Sequence, residues 1–201
     1  MMSTLEGRDQ DGLPAFASDI RNLVGKENKL PPIEKWHPEV QGEIDIRIAK
    51  DGVWYYRGVE MTRIDVVKLL SSILRKDENE FFLVTPTEKM KIQVEDLPFI
   101  INIMDVEDEG ENQRIHFSTQ FGDCLTLSDS HPLQVTYNEK NEPAPFVSVR
   151  QGLDARISRA VYYELAEIVV ESGAVSGNEA TASRQGEKQF GVWSDGSFFV
   201  L

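Results

Sequence analysis

The chain has 201 residues, 40% of them apolar and 9% aromatic, which fits one large or two small globular domains and excludes a disordered chain. Its 34 acidic residues outnumber 21 dispersed basic ones, for a net charge of −13, so neither nucleic acid nor an anionic membrane surface is an expected partner. No apolar run approaches the roughly 18 residues of a membrane-crossing helix, the polar start lacks an apolar leader core, and the lone Cys124 excludes an internal disulfide and fits a reducing cytosol.

Residues 1–12 read as a tail, and Phe16, Ile20 and Val24 form one stripe of a short helix over 13–24 that Gly25 ends. Together these make an N-terminal segment, 1–30. Pro31-Pro32 opens the folded body. Ile44, Ile46 and Ile48 alternate with Asp45 and Arg47, the period of a half-buried strand. Asp51-Gly52 has the composition of a type I′ turn and leads into a second strand, Val53-Trp54-Tyr55-Tyr56, so a hairpin is predicted. Thr62 is a candidate cap for a helix over 64–74, with Ile64, Val67, Leu70 and Leu74 on its apolar face. Strands over 81–85, 89–94 and 99–106 follow. The acidic connection 107–112 is read as the boundary between an N-terminal domain, 31–107, and a C-terminal domain, 108–201.

In the second half, strands are predicted over 114–118, 124–127, 133–137 and 146–149. Ser158 then caps a helix striped by Val161, Leu165, Ile168 and Val169. Residues 171–189, rich in Gly, Ser and charge, read as a mobile loop, and 190–201 as a terminal hairpin turning at Asp195-Gly196. Three features of the first half recur here, the first two at nearly equal offsets of 94 and 96 residues. His37-Pro38 returns as His131-Pro132, Met61-Thr62-Arg63 as Ile157-Ser158-Arg159, and Gly52-Val53-Trp54 as Gly191-Val192-Trp193. A repeat of that period predicts two related halves, each of antiparallel strands packed on one main helix, in an α+β fold with any shared site at their junction.

No catalytic motif accompanies the repeat: there is no Gly-x-Ser-x-Gly elbow, phosphate-binding loop or closely spaced His pair. No metal, cofactor or catalytic residue is therefore assigned. The candidate ligand-binding residues begin with Arg63 and Arg159, which stand at helix starts against the macrodipole preference and either hold an anion there or pair with acidic neighbours. His37 and His131 satisfy turns or contact a polar ligand, and His116 is the only other histidine. Trp54, Tyr56 and Tyr162 carry polar handles suited to a pocket wall as well as to a core. Glu88 and Lys89 adjoin a turn at Pro86. Cys124 reads as a small core side chain, and Ser128-Asp129-Ser130-His131 as a turn rather than a catalytic set.

Several segments together carry a family resemblance. Trp36-His37-Pro38-Glu39, Asp51-Gly52 with Trp54-Tyr55-Tyr56 and Gly58, and Leu83-Val84-Thr85-Pro86 with Glu88-Lys89 are followed by Val94-Glu95-Asp96 with Pro98-Phe99. His131-Pro132-Leu133, Arg150 with Gly152-Leu153, Val161-Tyr162-Tyr163-Glu164-Leu165 and Gly191-Val192-Trp193 complete the set. Over residues 28–201 this pattern resembles the bacterial family called domain of unknown function 1285. The resemblance implies a cytosolic bacterial protein with an α+β fold of repeated motifs, and it brings no activity with it.

The expectation is a non-enzymatic regulatory module, with signal transduction as one setting, that binds a small anionic ligand or a protein partner. A hydrolase using His37, His131 and Glu88 at the junction of the halves is the alternative. An adaptor that pairs through exposed strand edges or aromatics is the third reading.

Overall fold

The computed structural model describes residues 30–108, 112–138, 140–172, 175–176 and 189–201. The helix expected over 13–24 and most of the loop expected over 171–189 lie outside them. The chain divides into two compact units, 1–96 and 97–201. The stretch 99–107 therefore belongs with the second unit rather than with the first half.

In the first unit the alternation at Ile44–Ile48 does form a strand, β1 (Val40–Ile48), with Ile46 and Ile48 buried. It pairs antiparallel with β2 (Trp54–Tyr56), which sets Ile46 against Tyr56 and Ile48 against Trp54. The turn between them is not type I′. Gly52 at φ 80° follows Asp51, which keeps a negative φ, and the Gly52 N–H bonds the Ala49 carbonyl at 2.9 Å. Next come β3 (Val59–Glu60), α1 (Ile64–Ser72), β4 (Leu74–Asp77), β5 (Glu80–Val84) and β6 (Glu88–Val94). They form one six-stranded sheet ordered β3-β2-β1-β6-β5-β4, antiparallel throughout except at the central β1-β6 pair.

The helix is shorter than its apolar stripe predicts. Arg63, not Thr62, occupies the N-cap position, and no side chain caps it. At the other end the Ser71 and Ser72 hydroxyls donate to the Lys68 and Leu69 carbonyls at 2.8 and 2.6 Å, a local bonding mode that competes with helix continuation. Ile73 and Leu74 stay fully buried, but Leu74 opens β4 and pairs with Leu83.

The second unit contains β7 (Phe99–Glu107), β8 (Arg114–Thr119), β9 (Cys124–Thr126), β10 (Leu133–Tyr137), β11 (Pro143–Arg150) and β12 (Leu153–Ile157). Then follow α2 (Arg159–Ser172), β13 (Val175–Ser176), β14 (Gln189–Ser194) and β15 (Ser197–Val200). The first six make a sheet ordered β10-β11-β12-β7-β8-β9, and the last three strands make a small sheet of their own. Ser158 serves α2 as the sequence predicts: its Oγ accepts the Val161 N–H at 3.4 Å, and Val161, Leu165 and Val169 are buried.

The fold is not α+β. Among the described residues strands take 51% and helices 17%, so each core is built by a curled six-stranded sheet rather than by strands laid on a main helix. The expectation fails because short strands such as β4 and β12 gave too little sequence signal to weigh against two long apolar stripes.

Both large sheets share one connection scheme. Each is two three-stranded meanders joined by a parallel pair between its first and last strands, β1 with β6 and β7 with β12. The register of this repeat is not that of the His-Pro pairs. His37 precedes β1, whereas His131 lies between β9 and β10, the connection that α1 occupies in the first unit. Likewise α2 follows the sixth strand of its sheet. Arg63 and Arg159 are therefore not equivalent positions.

Candidate functional site

Along β8 the side chains alternate. Ile115, Phe117 and Thr119 are buried, while Arg114, His116 and Ser118 face outward. The paired strand β9 continues the pattern, with Leu125 buried and Cys124 and Thr126 outward. On the other side a bulge resets β7. Ile101 faces Thr119 and Ile103 already faces Ser118, so Asn102 is an extra residue on that strand. Ile101 is fully buried and Ile103 is 52% exposed. The bulge thereby moves Ile103, Asp105 and Glu107 to the outer face, with Asp105 directly opposite His116.

Beyond β9 the chain turns at Ser128–His131, where the His131 N–H bonds the Ser128 carbonyl at 2.9 Å. The turn is pinned to β15 by the Ser197 hydroxyl, which donates to Asp129 Oδ1 at 2.8 Å. Outer strand face and turn enclose an open pocket of about 630 Å³. Asp105 comes from β7, His116 and Ser118 from β8, Cys124 and Thr126 from β9, and Ser128, Ser130 and His131 from the turn.

The hydrogen bonds fix what the lining can offer. His131 Nδ1 lies 2.9 Å from the Ser148 carbonyl, which only accepts, so Nδ1 carries the proton and Nε2 is an acceptor in the neutral ring. His116 Nε2 donates to Glu107 Oε2 at 3.3 Å, and its Nδ1 meets the Thr126 hydroxyl at 3.0 Å. Cys124 Sγ is 3.4 Å from Ser118 Oγ, with no histidine as its hydrogen-bond partner. The Asp105 carboxylate forms no hydrogen bond or ion pair among the described residues. Among the described residues no lysine or arginine lines the pocket, and nearby Arg114 pairs with Glu107 and Asp195. The site is thus rich in acceptors and hydroxyls and holds one uncommitted carboxylate. Among the described residues no cluster of three or more His, Cys, Asp or Glu could hold a metal ion.

Of the candidate ligand-binding residues named from sequence, only His131 lines this pocket. His37 is exposed in the segment before β1. Arg63 pairs with Asp65 at 3.3 Å, and Arg159 Nε donates to the Tyr163 hydroxyl at 2.9 Å, so each arginine is engaged on its own helix. Trp54 and Tyr56 are core residues, with Arg57 stacked 5.3 Å from the Tyr56 ring, and Tyr162 is half-buried beside Tyr163. Glu88 begins β6, its N–H bonded to Thr85 Oγ1. Lys89 pairs with Asp77 at 2.7 Å and covers the Phe82 ring at 3.9 Å. Cys124 is exposed at the pocket rather than in the core. Asp105, His116, Ser118 and Thr126 were missed. Alternation along β8 marks His116 and Ser118 as outward, but Asp105 joins them only through a bulge that no single-strand pattern reveals.

Two family models match end to end: the N-terminal domain of DUF1285, a domain of unknown function, over residues 31–97, and the DUF1285 C-terminal domain over residues 98–201. The chain belongs to the DUF1285 family. A crystal structure of a DUF1285 family protein from Silicibacter pomeroyi DSS-3 is 36% identical with a TM-score of 0.76, covering 91% of this chain and 92% of that one. A second DUF1285 protein, from Shewanella baltica OS155, is 27% identical with a TM-score of 0.50 over 61% of this chain and 91% of that one. No curated protein matches the chain. The boundary between the two DUF1285 domains, after residue 97, falls one residue from the division of the structure after residue 96.

Proposed function

We propose that this DUF1285 chain is a non-enzymatic regulatory module, acting in the cytosol, whose second unit binds a small polar ligand in the pocket between β7–β9 and the Ser128–His131 turn. The observation that carries this reading is the gathering of hydroxyls, two imidazoles and a free carboxylate around one hollow. Occupancy without turnover then serves as the output. Because Asp105 is the uncommitted charge there and no cation lines the walls, the lining favours a ligand bearing an ammonium over the anionic one that Arg63 and Arg159 predict. The exposed, unpaired thiol of Cys124 supports a reducing compartment, and no described helix is long and apolar enough to cross a membrane.

The test is a thermal-shift and amide-NMR screen of the intact protein with putrescine, spermidine and lysine methyl ester, and with phosphate and citrate as anionic counterparts. An amine is expected to raise the melting temperature and to shift the amides of His116, Ser118 and Ser130. Asp105→Asn should weaken it about tenfold, or about 1.4 kcal/mol. Equal stabilisation by the anions, or an unchanged response in Asp105→Asn, overturns the reading.

A further inference from the structure

The second sheet has an unfinished edge. β12 pairs with β7 only through Phe99, Ile100 and Ile101, and the Ser158 N–H closes that ladder on the Ile101 carbonyl at 3.0 Å. From Asn102 to Glu107 the strand has β8 on one side and no strand on the other among the described residues. The orientation of its backbone groups follows from the partner strand. Ile115, opposite Val106, gives its N–H to Ser194 Oγ at 2.9 Å, and its carbonyl accepts the Leu127 N–H at 2.8 Å. The Val106 and Ile115 pair is therefore not bonded across the β7-β8 ladder, and the Val106 N–H and carbonyl face the open edge. By the antiparallel alternation those of Met104 do the same. Ile103 and Val106 are 52% and 44% exposed beside them.

Open edges recruit extended chains, and the side chains along an edge decide which ones. Glu107 is already held by Arg114 and His116, which leaves Asp105 as the free charge of this edge. A second copy of the chain is disfavoured, because two-fold pairing centred on Asp105 or Val106 sets carboxylate against carboxylate. We propose that residues 102–107 of β7 receive an extended basic peptide from another protein. It adds as a further strand, its backbone bonds made to Met104 and Val106 and a lysine or arginine placed opposite Asp105. The inference rests on the backbone edge and on Asp105, which it shares with the pocket, and it leaves the pocket residues Ser118 and His131 untouched.

The test uses the intact protein and two fluorescent, end-blocked heptapeptides, one alternating valine with lysine and one alternating valine with glutamate. Anisotropy titration is expected to show binding of the lysine peptide alone, with amide shifts at Met104 and Val106. Val106→Pro removes an outward N–H that β8 does not use, so the native ladder survives while peptide affinity falls at least about tenfold. Asp105→Lys should transfer the preference to the glutamate peptide, and it decides the question even if the proline variant unfolds. Unchanged binding to Val106→Pro, indifference to Asp105→Lys, equal binding of both peptides, binding of neither, or self-association through this edge overturns the proposal. Retention of peptide binding in a protein that ignores small amines would separate this edge from the pocket reading.

Discussion

Ser194 shows how much one small side chain can organise. It is fully buried at the end of β14, where its hydroxyl donates to the Leu127 carbonyl at 2.6 Å and accepts the Ile115 N–H at 2.9 Å. It thereby fastens the small sheet to β8 and to the start of the pocket turn. Ser194→Ala leaves both backbone groups buried and unpaired, and should lower stability by about 2–3 kcal/mol, read from urea unfolding. The Asp77 carboxylate does comparable work in the first unit. Burial alone would push it up. Hydrogen bonds from Lys89 and Arg75, at 2.7 and 2.9 Å, outweigh that and, with both positive charges, hold it below its ordinary 3.8. Arg75 in turn clasps the Ile33 and Trp36 carbonyls, so the network ties β4 to the segment before β1. A carboxyl depressed in the folded state contributes stability above its unfolded value and loses it as pH falls through the folded one. Stability should therefore decline below about pH 4, and Asp77→Asn should flatten that part of the profile, modestly because the side chain is partly exposed.

At the level of elements, most strands are legible in the sequence, including short β2 and β9, whereas β3, β4 and β12 are not. Ile46 and Ile48 set the face of β1, and the terminal hairpin turns at Asp195-Gly196, both at positive φ as a type I′ turn requires. By contrast β12 was overlooked although Leu153, Ala155 and Ile157 are buried in alternation with Asp154 and Arg156. Its five residues stand directly before the helix signal at Ser158, and the sequence reading leaves them unassigned. The apolar stripe through Leu74 was misassigned because burial continues past Ser72 while the backbone changes from helix to strand. Of the site, the alternation in β8 could be read from sequence. The position of Asp105 could not, because it depends on the pairing of two strands and on one inserted residue between them.

For the molecule as a whole, the shared strand order means that each unit carries a complete sheet and its own core. Ile48, Trp54, Leu70 and Leu83 anchor one, and Phe99, Phe117, Val147 and Leu165 the other. Residues 1–96 and 97–201, produced separately, should each give a dispersed amide spectrum and a cooperative calorimetric melt. A broad, non-cooperative transition for either piece would show that its core depends on the rest of the chain. The central seam of each sheet carries a temporal meaning as well. β1 joins β6 and β7 joins β12, partners separated by about fifty residues of chain, so local meanders form before the seam can close. During synthesis each half waits, split down its middle, for the last strand to leave the ribosome. A stall shortly before residue 88 or 153 would hold a nascent chain with its innermost backbone groups bare to whatever chaperone or neighbour is at hand.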